Sequence, residues 1–331
     1  MPGVPTELTR LSARYRAFAD DEARGSSAIY EALAHAVADC EEVLAFIATL
    51  PSERRQPNLF LAAVRHLYGV PRSAGHLTDI VRQHHEQVRG LMLTRTTQTN
   101  EPARCALMLP ILGTYGRQPL ALLEVGASAG LCLLPDHYGY AYGATRLMPK
   151  ARAGIQPPVL ACETNGPVPV PDALPSVVWR RGLDLNPVDV HTRQDVAWLE
   201  TLVWPGQEER SDRLRAAIEI ARQEQPKVVK GDLLQDLSPV MAMAPTHATL
   251  VVFHTAVLAY VASQPVRDRF ARAMRDSGVD WVSIEAPGVF PEIARKVPRP
   301  PSRRGLFLVA RNGQPVAWAG PHGQSIDWFD A

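Results

Sequence analysis

The sequence predicts an α/β chain in two parts, an all-helical N-terminal domain over residues 1–118 and a seven-stranded, mostly parallel sheet domain over 119–331. Three observations carry this. Before residue 119 apolar residues recur at helical spacing, with no convincing strand. After Pro119 short apolar runs ending in Gly, Asp or His alternate with helix-like segments, the grammar of a parallel sheet. The last two runs are joined by Asn312-Gly313, whose tolerance of positive φ marks a two-residue hairpin.

In the helical part, Ile29, Leu33 and Val37 and then Val43, Leu44 and Ile47 form apolar stripes, punctuated at Gly25-Ser26 and Leu50-Pro51. Further helices follow over Leu59–Tyr68, His76–Leu93 and Pro102–Leu112. The five alternating strands are Leu120–Gly126, Val177–Leu185, Lys227–Asp232, Thr249–Thr255 and Val279–Ala286, and the closing hairpin is Gly305–Arg311 with Gln314–Ala319. Between the first two strands sits an insertion at about 132–176, tyrosine-rich and then proline-rich, read as a surface elaboration or a lid. Thr164-Asn165-Gly166 within it reads as a small hairpin turn.

The first strand ends Glu124-Val125-Gly126-Ala127-Ser128-Ala129-Gly130-Leu131: an acid, a small-residue turn, and an expected helix. Glycines let the backbone turn sharply and approach a ligand, and amides at a helix start can hydrogen-bond it. The same letters spell G-x-S-x-G, so a serine hydrolase using Ser128 is a rival, though that fold needs strands before the nucleophile strand. A plain structural turn is a third reading. Later strand ends supply Asp184, where an acid commonly holds ribose hydroxyls, then Asp232-Leu233, and His254, readable as a general base or as a packed, hydrogen-bonded ring.

The loop Glu124–Leu131 resembles motif I of class I S-adenosylmethionine-dependent methyltransferases, with Ser128 where a middle glycine is usual, and five alternating strands plus a terminal hairpin is that family's layout. The resemblance implies a Rossmann-like domain binding S-adenosylmethionine at the carboxyl ends of the first three strands. Glu124, Gly126, Ser128, Gly130, Asp184, Asp232 and Leu233 are the expected cofactor residues, Asn100 and Glu101 reach the pocket from the helical side, and His254 is the candidate base. Asn100 or Thr99 reads equally well as a helix cap. A non-catalytic nucleoside-binding or interaction protein is the alternative to a methyltransferase. Gln98–Glu101, Glu124–Leu131, Gly182–Pro187 and His254–Tyr260 together are similar to a bacterial family of unknown function known by a numbered domain, which implies relatives with the same polar tetrad but no activity or substrate.

Composition narrows the partners. With 35 basic and 34 acidic residues there is no global field to recruit nucleic acid or an anionic membrane. The basic loop Arg295-Lys296, Arg299 and Arg303-Arg304 lacks interleaved aromatics and reads as solvated, leaving a small molecule or a protein side chain as the expected substrate. No apolar run suits a signal peptide or membrane span, which predicts a cytoplasmic protein. Cys40, Cys105, Cys132 and Cys162 have no metal or disulfide spacing, and His84-His85 point about 100° apart on a helix, so no metal is expected.

Overall fold

The computed structural model describes residues 6–151, 154 and 156–330. Two compact units share the chain: Met1–Thr99 with Thr192–Asp212, and Asn100–His191 with Arg213–Ala331. The division thus falls at Thr99/Asn100 rather than after residue 118, and a segment from beyond the second strand of the series returns to the helical unit.

That unit begins with helices Glu7–Ala17, Ala28–Asp39, Glu41–Ala48, Pro57–Tyr68 and Ala74–Thr94. Thr6, Ser27 and Ser73 cap three of them, each side chain accepting from a backbone N–H three residues on, which satisfies a donor the helix cannot. The long helix kinks at His84, whose ring stacks on Tyr68 at 4.7 Å. Trp198 and Leu202, on helix Arg193–Leu202, complete the same apolar core. Polar contacts hold this returning segment: Trp198 donates to the Thr96 carbonyl at 3.0 Å, and Arg95 pairs with Asp195 at 2.6 Å.

The second unit carries strands β1 Pro119–Val125, β2 Gly139–Tyr142, β3 Thr145–Leu147, β4 Val159–Ala161, β5 Glu163–Asn165, β6 Ser176–Asp184, β7 Lys227–Lys230, β8 Thr249–Thr255, β9 Asp280–Glu285, β10 Phe307–Arg311, β11 Gln314–Ala319 and β12 Ser325–Trp328. Nine make one mostly parallel sheet in the order β5-β12-β11-β10-β9-β8-β1-β6-β7. The seven expected strands are present, but β12 and β5 lengthen the edge to nine. Thr164-Asn165-Gly166 does not close a hairpin: Glu163–Asn165 pairs parallel with Ser325–Asp327, and a Cβ on Gly166 would lie 2.3 Å from the Trp328 carbonyl oxygen.

From β1 the chain adds β6 and β7 on one side, then crosses to β8 and β9 on the other. The strand order therefore reverses at the carboxyl end of β1, the position where open α/β sheets leave a ligand crevice. β1 itself is buried along all but its first residue, as a central parallel strand should be.

The helix expected after Gly130 is absent. A 3₁₀ turn, Leu131–Leu133, and another, Pro135–His137, lead instead into the small sheet β3-β2-β4. The insertion is packed, because the hydroxyls of Tyr138, Tyr140 and Tyr142 donate to the carbonyls of Leu131, Pro135 and Ala106 at 2.6–2.8 Å. Residues 152, 153 and 155 of the insertion lie outside the described residues. No helix among the described residues is long and apolar enough to cross a membrane.

Candidate functional site

At the switch point the loop after β1 takes three left-handed residues, Gly126 at φ 74°, Ser128 at φ 50° and Gly130 at φ 71°. Ser128 is the costly one, since a residue with a Cβ in this region must be held there by its surroundings. Those surroundings are two polar clamps. Asp184, at the end of β6, accepts from the Ser128 amide at 2.8 Å and from the Asn186 amide at 2.7 Å. Asn100 donates through Nδ2 to Ser128 Oγ at 2.8 Å and accepts from the Ala129 amide at 3.0 Å.

Asn100 therefore belongs to the sheet unit and acts on the loop itself. Next to it, Glu101 is fully buried; its Oε1 accepts from the Ala103 amide at 3.1 Å and from Arg213 Nε at 2.8 Å. Glu101, the last residue of the tetrad, caps a 3₁₀ turn, Pro102–Arg104, that runs directly into helix Cys105–Gly113, so the expected helix start lies here with Glu101, not Asn100 or Thr99, as the cap. Arg104 is buried and donates to the carbonyls of Thr255 at 3.0 Å and Pro321 at 2.9 Å, tying this turn to the end of β8 and to the β11–β12 loop.

Glu124 is 3% exposed, and its Oε2 has no hydrogen-bond partner among the described residues. Burial pushes its carboxyl well above the ordinary range, with Cys132 and Asp184 adding to the rise and the Arg104 charge opposing it. An uncompensated buried carboxylate is expensive, so the group responds by holding its proton.

The glycines have packing explanations. A Cβ on Gly126 would lie 2.2 Å from Val257 Cγ2, and one on Gly130 would crowd Val228 and Pro226 at 3.1–3.2 Å. The space that a glycine-rich turn leaves open for a nucleoside is, beside Gly126, occupied by the chain's own valine.

His254 is wholly buried, with Phe270, Trp281 and Phe290 around its ring at 5.5–5.9 Å between centroids. Its Nδ1 pairs with Glu285 Oε1 at 2.7 Å, and the same oxygen accepts the Val257 and Leu258 amides, each at 3.0 Å. The ring is packed and hydrogen-bonded through Nδ1, its Nε2 is buried without a hydrogen-bond partner among the described residues, and the pair anchors the turn that brings Val257 against Gly126. No hydrogen bond joins His254 to Ser128 among the described residues, so Ser128 has no such base beside it. No group of three potential metal ligands occurs among the described residues.

Asp232 lies one strand further out, its Oδ1 accepting from the Leu234 amide at 2.7 Å in a local turn, while Leu233 packs partly into the core. The structure thus joins Asn100, Ser128 and Asp184 directly, sets Glu101 and Glu124 close by, and leaves Asp232 and Leu233 apart from them. Sequence reasoning missed Arg104, Arg213 and Val257. Arg104 had a signal, a cation three residues after Glu101 within the polar stretch; Arg213 sits among many charges of helix Glu208–Glu224 and had none. A cleft of about 680 Å³ lies at the other end of the sheet, among the insertion, His137 and Ser176-Val177 at the start of β6.

The chain belongs to the family described as "Uncharacterized protein conserved in bacteria (DUF2332)", whose model matches residues 12–328. No curated protein and no solved structure matches it.

Proposed function

We propose that this member of the family binds a small molecule at the carboxyl ends of β1, β6 and β8, and that S-adenosylmethionine-dependent methyl transfer is its activity. The observation that carries the reading is Glu124: a buried carboxyl at the reversal of strand order, with one oxygen uncommitted. An unsatisfied buried polar group costs about 1–3 kcal/mol, and a ligand ammonium would offset this with a charge-assisted bond of about 1.5–3 kcal/mol.

The residues fit the cofactor on its amino-acid side. Glu124 would accept from the ammonium, Asp184 keeps lone pairs for a ribose hydroxyl beyond its two amide bonds, and Asn100 fixes the loop between them. When bound, the cofactor supplies an electrophilic methyl on sulfur. The chain's part is to hold and align it against an acceptor lone pair and to exclude water.

A second reading rests on Val257. Its methyl groups fill the approach to Gly126, which favours a Rossmann-like domain kept as a binding or assembly element without catalysis. Calorimetry with S-adenosylmethionine and S-adenosylhomocysteine, repeated on Glu124→Gln, separates the two. Micromolar binding, about −8 kcal/mol, weakened at least tenfold in the variant, supports the first reading. Absence of binding at millimolar ligand rejects it and leaves the second.

A further inference from the structure

The charge balance of the whole chain conceals a local imbalance. Helix Gln264–Asp276 exposes Arg269, Arg272 and Arg275 at intervals of three residues, a rise of about 4.5 Å each. The proline-rich segment that follows β9 exposes Arg295, Lys296, Arg303 and Arg304. Arg275 and Lys296 meet at the β10–β11 turn, the Arg275 Cδ 3.3 Å from where a Gly313 Cβ would be and Lys296 Nζ donating to the Gly313 carbonyl at 3.2 Å, while Arg303 and Arg304 lie before the other end of β10.

Six of these seven cations, all arginines, have no side-chain hydrogen bond or ion pair among the described residues. Neighbouring arginines are spent: Arg299 on Asp327, Arg311 on Asp280 and Arg267 on the Val261 carbonyl. Only Asp276 and Glu292 are exposed acids on the same two elements, against seven exposed cations.

We propose that this surface docks the phosphodiester backbone of a nucleic acid through charge, without reading sequence. Arginine favours phosphate, because its planar fork gives two parallel hydrogen bonds where an ammonium gives a point contact. A membrane surface fits less well: none of the large exposed apolar side chains falls between residues 264 and 304, so there is no anchor to insert. The inference is independent of the cofactor reading, since none of these arginines is part of the Glu124 site.

The test is fluorescence anisotropy of the full chain with a labelled DNA duplex of about 20 base pairs, across salt. With roughly five phosphates neutralised, affinity falls about 10²- to 10³-fold between about 50 and 200 mM salt. Arg269→Glu/Arg272→Glu/Arg275→Glu and, separately, Arg303→Glu/Arg304→Glu each weaken binding at least about tenfold. Arg10→Glu/Arg14→Glu, in the helical unit, leaves it unchanged. No duplex binding at low salt, equal binding by all variants, or preference for phosphatidylserine vesicles or polyglutamate over the duplex overturns the proposal.

Discussion

The Asp184 carboxylate holds the Ser128 amide at 2.8 Å, so the one residue with a Cβ in the left-handed stretch of the β1 loop is fixed from the neighbouring strand. Asp184→Ala removes the acceptor of two backbone donors. Each such bond to a charged group contributes about 1.5–3 kcal/mol, so a loss of up to about 3–6 kcal/mol is expected in urea unfolding. Asp184→Asn, which keeps one acceptor oxygen, costs less. Equal stability of the wild type and the alanine variant would show that the clamp is incidental.

Gly126→Ala is destabilised twice over, by its φ of 74° and by the 2.2 Å approach to Val257. Overpacking and an αL side chain together cost about 2–4 kcal/mol. Combining it with Val257→Gly recovers the overpacking share and leaves the backbone share, and a double-mutant cycle of unfolding free energies measures the recovered part.

The raised carboxyl of Glu124 makes a signed prediction for pH. The folded chain binds this proton more tightly than the unfolded chain, whose glutamate titrates near 4.3, so stability declines as pH rises above that value, by at most about 1.4 kcal/mol per pH unit. Glu124→Gln lacks this dependence, and its stability relative to wild type increases from pH 5 upward until the folded carboxyl ionises. A variant whose stability relative to wild type falls with pH over that window would contradict the assignment. In the wild type, an ammonium ligand would expel the same proton, detectable by calorimetry in buffers of different ionisation enthalpy.

Glu285→Ala strands three donors, those of His254 and Leu258, which are buried, and of Val257, which is half-buried, whereas His254→Phe removes one donor and keeps a ring in place. The first costs about 3–5 kcal/mol and the second distinctly less. Guanidinium midpoints in the reverse order would show that the ring, and not the carboxylate, holds the turn.

β1, β8 and β9 were legible because burial on both faces writes each as an apolar run, whereas β6 and β7, which bury two residues and none, were legible from the Gly and Asp at their ends, and the β10–β11 pair from Asn312-Gly313. β12 was not: Ser325-Ile326-Asp327-Trp328 has a single buried residue and is a strand only through its partners. The loop after β1 looked like a helix start because Ala129, Leu131 and Cys132 suit a helix. Tertiary packing decided otherwise, with Tyr138 claiming the Leu131 carbonyl that a helix would have used. Asn100, Ser128 and Asp184 were each legible as polar residues at expected ends. That they satisfy one another was not, since their hydrogen bonds span 28 and 56 residues.

The placement of β1 also sets a timetable for the growing chain. Its partner on the β8 side begins at Thr249, 124 residues after Val125 (249 minus 125), which at about 5–20 residues per second is roughly 6–25 s of synthesis. Throughout that interval this apolar strand lacks its β8 partner, and the outermost pairing, Glu163–Asn165 with Ser325–Asp327, waits for a segment that begins 160 residues after Asn165 (325 minus 165). The nascent chain is therefore the form most exposed to aggregation, and truncation of the C-terminal strand should appear first as poor yield of soluble protein.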